Sequence, residues 1–278
     1  MKKYIITLVL LLALVLCGCS GQENNGSAPM QDEQPTPEVA EPAEPLYGYE
    51  EKTCERAFTD ESTGEVYASY GYSVPMLGII NADKLGEETL ALAQRNVEVF
   101  NTRMQEILDD AVAYGEELAF ETESAPFGLA LADEKTLSVS CTGQIMTVWV
   151  DGYFYGGGAH PYAYNDSYTF DLTVGQFIDP TQIGDDPEHF RATAAALLVA
   201  KAESLGDDYT SGYWSDYAQI ISRWNEAAVL FDETGMTVVF SAYELGPYAM
   251  GPVELILTYE ELAEAIGEGG LAHLGVGE

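Results

Sequence analysis

Basic residues are scarce. The 278-residue chain has 11 Lys and Arg against 46 Asp and Glu, a net charge of −35. Such a surface repels phosphate backbones and anionic lipid, which excludes nucleic acid as a partner and excludes charge-driven adhesion to a membrane. Cysteine is scarce too, and four in a chain of this length do not make a disulfide scaffold. The three histidines, His160, His189 and His273, lack ligand-like spacing, and no HExxH or CxxC occurs, so no metal set is read. Asp185-Asp186 and Asp207-Asp208 do not sit in a D-x-[DN]-x-[DN]-G calcium loop. No GK[ST] follows the glycine run, which argues against a phosphate cradle. No nucleophile–base pair is evident. The chain therefore reads as non-catalytic, with no cofactor.

One long apolar run is present, Tyr4 to Leu16, behind Lys2 and Lys3. It is too short to remain as a spanning helix and reads as a targeting segment. It ends in Leu16-Cys17-Gly18-Cys19, which resembles the bacterial lipobox: a small residue before the cysteine that takes the lipid. Residues 1–18 are then a signal peptide, and Cys19 is the lipidated N-terminus. Residues 19–48, rich in Gln, Glu, Asn, Pro and Ala, have little to bury and read as a disordered tether. The membrane is reached through this anchor alone, on the outer face of the bacterial cytoplasmic membrane.

From Tyr49 the pattern is that of an α+β protein, two subdomains of helices packed on mostly antiparallel sheet, residues 49–155 and 156–265. Glu51–Thr59, Glu65–Val74, Glu117–Thr122 and Thr136–Thr142 read as strands. Leu90, Ala93, Val97, Phe100, Met104, Ile107 and Ala111 repeat at helical spacing and predict a helix over about 87–113. Asp186-Pro187-Glu188 is a helix start. A second helical stretch is expected over Trp214–Trp224, a hairpin around Asp232–Gly235, and a last strand over Val253–Thr258. The glycines of 266–278 read as a flexible tail. Cys54 and Cys141 fall on predicted strands in an oxidising compartment; a disulfide between them is one reading, two buried thiols the other.

The chain reads as built around Ile145 to Leu172, two strands joined at Gly156-Gly157-Gly158-Ala159-His160-Pro161. Read structurally, this is a wide corner that re-aims a strand. His160 reads first as a ring hydrogen-bonded to backbone, second as a partner contact. The 18 tyrosines suit half-buried sheet positions, interfaces and carbohydrate surfaces alike.

The stretches Gly157-Gly158-Ala159-His160-Pro161 with Tyr168–Leu172, and Phe240–Pro252 with its closing strand, resemble the C-terminal domain of RsiV-type anti-sigma factors. Residues 51 to about 155 resemble the domain found ahead of the catalytic domain in PdaC-type peptidoglycan deacetylases. The resemblance implies an extracellular receptor for lysozyme or another cationic wall hydrolase. It departs at the N-terminus, where a lipid anchor replaces the sigma-binding segment, so a sigma factor is not expected as partner. The partner-binding residues it implies lie on the two loops: His160, Pro161, Tyr162, Pro247 and Tyr248, with Asp151, Asp166 and Glu244 to steer a cation. Two other readings stand beside it: a module that binds peptidoglycan glycan through its tyrosines, accessory to wall modification, and an enzyme of unrecognised type.

Overall fold

The structure is a computed structural model that describes residues 46–123, 131–206 and 211–277. The signal segment, Cys19 and most of the expected tether lie outside these residues, as do Asp207, Asp208 and Tyr209.

Alternation of apolar and polar residues produces β1 (Tyr47–Thr59) and β2 (Val66–Ile79), paired antiparallel. Asp60 closes their turn by accepting from the N–H groups of Ser62 and Thr63 at 2.7 and 2.9 Å. Then comes α1 (Glu87–Glu123), with Glu87 and Glu88 in its first turn, where the helix dipole favours anions. The strand expected at Glu117–Thr122 is the last part of this helix. Gly115 serves packing: a Cβ there would lie 2.5 Å from the Tyr70 ring and 2.9 Å from the Tyr72 hydroxyl. The missing side chain lets the stacked Tyr70–Tyr72 pair press against the helix.

The α1 crossover allows β3 (Leu131–Thr142) to pair parallel with β2. β4 (Ile145–Tyr155), β5 (Tyr162–Asp171) and the short β6 (Gln176–Ile178) follow antiparallel, completing a six-stranded sheet in chain order. The division expected after Tyr155 therefore runs through one sheet. β4 and β5 stay paired from Ile145↔Asp171 to Phe154↔Tyr162, across the glycine corner. The core between α1 and this sheet contains Tyr72, Phe100, Met104, Val148 and Phe170. Phe100 meets Phe170 edge-on, with ring centroids 5.6 Å apart.

The second core belongs to α2 (Pro187–Ser204), a short α3 (Tyr217–Ile221), and the antiparallel sheet of β7 (Ala228–Phe231), β8 (Gly235–Phe240) and β9 (Val253–Thr258). The Asp186 carboxylate caps α2 as its sequence predicts, accepting from Glu188 N and His189 N. The expected Trp214–Trp224 helix is shortened to α3, followed by a 3-10 turn at Trp224–Glu226.

The expected C-terminal tail is a helix. α4 (Tyr259–His273) starts at a capping box of Thr258 and Glu261 and bends at Gly267, where φ is 82°. The Asp185 carboxylate accepts from Gly269 N and Gly270 N at 3.2 and 3.0 Å, which satisfies donors freed at the bend. Leu262, Ile266, Gly270 and Leu274 are buried on one face, an i, i+4 pattern that the surrounding glycines obscured. The end of α4 docks on the β3–β4 hairpin, where Gln144 N donates to His273 O at 2.8 Å.

Cys54 and Cys141 are free thiols. Cys54 on β1 opposes Tyr72, and Tyr72 opposes Lys135 on β3. Cys141 lies six residues beyond Lys135, roughly 20 Å along the strand and two strands across. A disulfide needs Cα atoms within about 7 Å.

Candidate functional site

Over residues 162–168, β5 has no strand partner on its outer side among the described residues, because β6 pairs only with Thr169–Asp171. The segment after β8 covers this open edge. Asn165 N donates to Ser241 Oγ at 3.0 Å, and Ser241 Oγ donates back to Asn165 O at 3.4 Å. One strand further in, Val229 N donates to Ser167 Oγ at 2.7 Å. These contacts bring the 241–252 loop beside the glycine corner, 80 residues earlier in the chain.

The two loops meet through their rings. His160 stacks on Tyr248, with centroids 3.7 Å apart and planes 14° from parallel. The Tyr248 hydroxyl donates to Pro161 O at 3.0 Å. Tyr243 joins from the side, its hydroxyl 3.3 Å from His160 Nε2. His160 Nδ1 lies 3.0 Å from Pro161 O. One neutral tautomer satisfies both contacts: Nδ1–H donates to the carbonyl, and Nε2 accepts from Tyr243. Trp214 extends the cluster by donating from Nε1 to Tyr243 O at 3.1 Å. Tyr243 is 49% exposed and Trp214 41%, and the His160 ring is exposed. The result is an aromatic ridge, hydrogen-bonded to backbone beneath and open above.

The five expected contact residues divide. His160, Pro161 and Tyr248 are joined in the ridge. Tyr162 instead stacks on Tyr164, 5.7 Å between centroids, on the face that α1 covers. Burial and the nearby Glu244 carboxylate raise its phenol pKa. Pro247 stays outside the stack and precedes the 3-10 turn Tyr248–Met250. Two ridge residues were missed, Tyr243 and Trp214. Tyr243 has a φ of 75°, which no sequence pattern announces for a tyrosine.

The flanking acids are largely occupied. Asp151 accepts from Trp149 Nε1 at 3.1 Å and Asn165 Nδ2 at 2.8 Å. Glu244 accepts from Ser241 N at 2.6 Å. Burial raises the Glu244 carboxyl pKa, against the pull of that N–H, and Asp166 adds to the rise. Asp166 itself is raised by burial. Among the described residues, no group of three or more His, Cys, Asp or Glu is arranged to hold a metal ion.

Residues 203–260 match a protein family of unknown function, DUF3298. The matched segment carries Trp214, Tyr243 and Tyr248, whereas His160 and Pro161 lie outside it. A DUF3298 family member from Bacteroides fragilis NCTC 9343 has a solved structure of similar fold, at 15% identity and a TM-score of 0.57, with 82% of this chain and 98% of that one covered. A second, from Pseudomonas aeruginosa PAO1, aligns at 16% identity and a TM-score of 0.49, covering 82% of this chain and 97% of that one. No curated protein matches the chain.

Proposed function

We propose that the protein is a non-catalytic binding module, lipid-anchored through Cys19 outside the cytoplasmic membrane, that takes a cationic protein on the aromatic ridge. The partner class is lysozyme or another basic wall hydrolase. The observation that carries this reading is the exposed stack of His160, Tyr248 and Tyr243 with Trp214 beside it. Rigid aromatic anchors dominate protein interfaces, and here their ordering cost is met by intramolecular hydrogen bonds before a partner arrives. The net charge of −35 speeds encounter with a basic enzyme. The resemblance to RsiV-type and PdaC-type ectodomains adds the extracellular setting.

Pull-down of the protein on immobilised lysozyme, set beside pull-down on insoluble peptidoglycan, tests the reading. Lysozyme capture should weaken with salt and should be lost in the double variant His160→Ala, Tyr248→Ala, provided the variant still folds. Capture by peptidoglycan alone, lost with Trp214→Ala, supports the second reading. Exposed Trp and Tyr faces favour that reading, because sugar rings stack on them. Lipidation has its own test: Cys19→Ala should move the protein from the membrane fraction to the medium or leave an unprocessed precursor.

A further inference from the structure

The covered face of the large sheet contains a cavity of about 250 Å³ between α1 and strands β3–β5. Its floor is apolar, formed by Ile107, Leu137 and Val150. Its walls hold charges of both signs. Arg103 and Lys135, two of only 11 Lys and Arg in the chain, line it together with Asp110 and Asp166. Arg103 lies at Tyr168, at the β5 end where Asp166 stands between Tyr164 and Tyr168, and Lys135 lies at the β3 end, near the Tyr72 and Tyr114 rings. None of these residues belongs to the aromatic ridge.

The charges are present but not neutralised by each other. Among the described residues no cation lies within ion-pair distance of Asp166, whose carboxylate accepts only from Ser167 N, at 2.7 Å. Arg103 lies over the Tyr168 ring, its guanidinium carbon 5.7 Å from the centroid, and pairs only with the exposed Glu106 at 3.3 Å. Lys135 reaches Asp133 at 3.9 Å, a loose contact, because Asp133 already accepts from Tyr72 at 2.6 Å. The remaining acceptor capacity of this half-buried carboxylate faces the cavity. Space for the occupant is kept open by Gly152. A Cβ there would lie 2.2 Å from the Tyr164 ring, so the glycine lets that ring lie flat on β4 instead of standing in the cavity.

We propose that this cavity binds a free α-amino acid. Asp166 takes the ammonium group, with Tyr164 offering a ring face to the same cation. Arg103, at the same end of the cavity, takes the carboxylate, for which a guanidinium fork is the matching donor. The side chain lies on the Ile107–Leu137–Val150 floor. A volume of about 250 Å³ accommodates one amino acid.

The test is calorimetric titration and thermal shift of the full-length protein with each of the twenty L-amino acids and D-alanine. At least one should bind saturably. For that amino acid, the amine lacking the carboxylate and the acid lacking the amine should each bind about tenfold more weakly or worse. Asp166→Asn and Arg103→Gln should each reduce affinity by a similar factor, and Gly152→Ala should abolish binding by turning Tyr164 inward. Arg103 is at the rim, so its variant decides the matter even if another fails to fold. The proposal is overturned if no amino acid binds saturably. It is equally overturned if the amine alone matches the amino acid, or if Arg103→Gln keeps the parent affinity.

Discussion

Tyr243 is held at a φ of 75°, where a side chain costs about 1–2 kcal/mol and glycine costs almost nothing. The strain is offset by what that conformation achieves: the ring is directed at His160 and the carbonyl at Trp214. Tyr243→Gly should therefore keep the fold, while Tyr243→Val, β-branched in the left-handed region, should be less stable than the glycine variant by roughly 1–2 kcal/mol in denaturant melts. Both variants should lose the ridge's partner. A glycine variant less stable than the valine variant would show that the backbone is not strained there.

Asp166 and Glu244 set a second expectation at the same scale. Both carboxyls are raised in the folded state, so the stability they contribute is full below the ordinary carboxylate pKa and is lost as pH rises through the folded value. Asp232 has the opposite sign. Burial pushes it up, but donors from Thr234 and Gly235 prevail and leave it low, so its contribution is present above the ordinary value and is lost on acidification. Asp166→Asn should accordingly raise the melting temperature at pH 7 more than at pH 4. Asp232→Asn should lower it at pH 7 and matter less at pH 4. Parallel melts of the three proteins at the two pH values check both.

At the scale of the element, α1 shows how packing overrides propensity. In an exposed helix interior, Gly→Ala gains about 1 kcal/mol. Gly115→Ala should instead destabilise, because Tyr70 and Tyr72 occupy the space its Cβ would need. Phe100→Ala should cost about 3–5 kcal/mol, since the ring is fully buried against Phe170 and Phe177. Denaturant melts measure both. The helical repeat that predicted α1 was visible from Leu90 to Ala111 because every turn places an apolar residue on one face. It became invisible past Gly115, where the face is completed by Gly115 and Ala119, too small to register as a stripe. The α4 helix was hidden in the same way by Gly267, Gly269 and Gly270, although Leu262 and Ile266 before the bend and Leu274 at the helix end are all buried.

For the whole molecule, the informative contact is the one between the end of α4 and the β3–β4 turn. Gly143 has a φ of 59°, and a Cβ on it would lie 2.4 Å from His273 O. Thr142 Oγ1 donates to Phe231 O at 3.1 Å beside it. Gly143→Ala should thus destabilise twice over, through backbone strain and through displacement of α4, and removal of residues 267–278 should lower the melting temperature markedly. Unchanged melting of the truncated protein would mean that the part of α4 beyond the bend adds nothing to the second core.

The sequence alone determined the acidic surface, the α+β class, the alternating strands, the cap at Asp186, and the two loops that merited attention. These are local properties: periodicity, turn chemistry and charge are written in neighbouring residues. Only the tertiary structure decided that β5 and β6 belong to the first sheet, that Cys54 and Cys141 stand far apart, and that the two loops meet. His160 and Tyr248 are 88 positions apart, and their stacking follows from Ser241 covering the open edge of β5. No local pattern encodes which edge a distant segment will cover. That choice is made by the packing of whole sheets, where burial and backbone hydrogen bonds must be satisfied together.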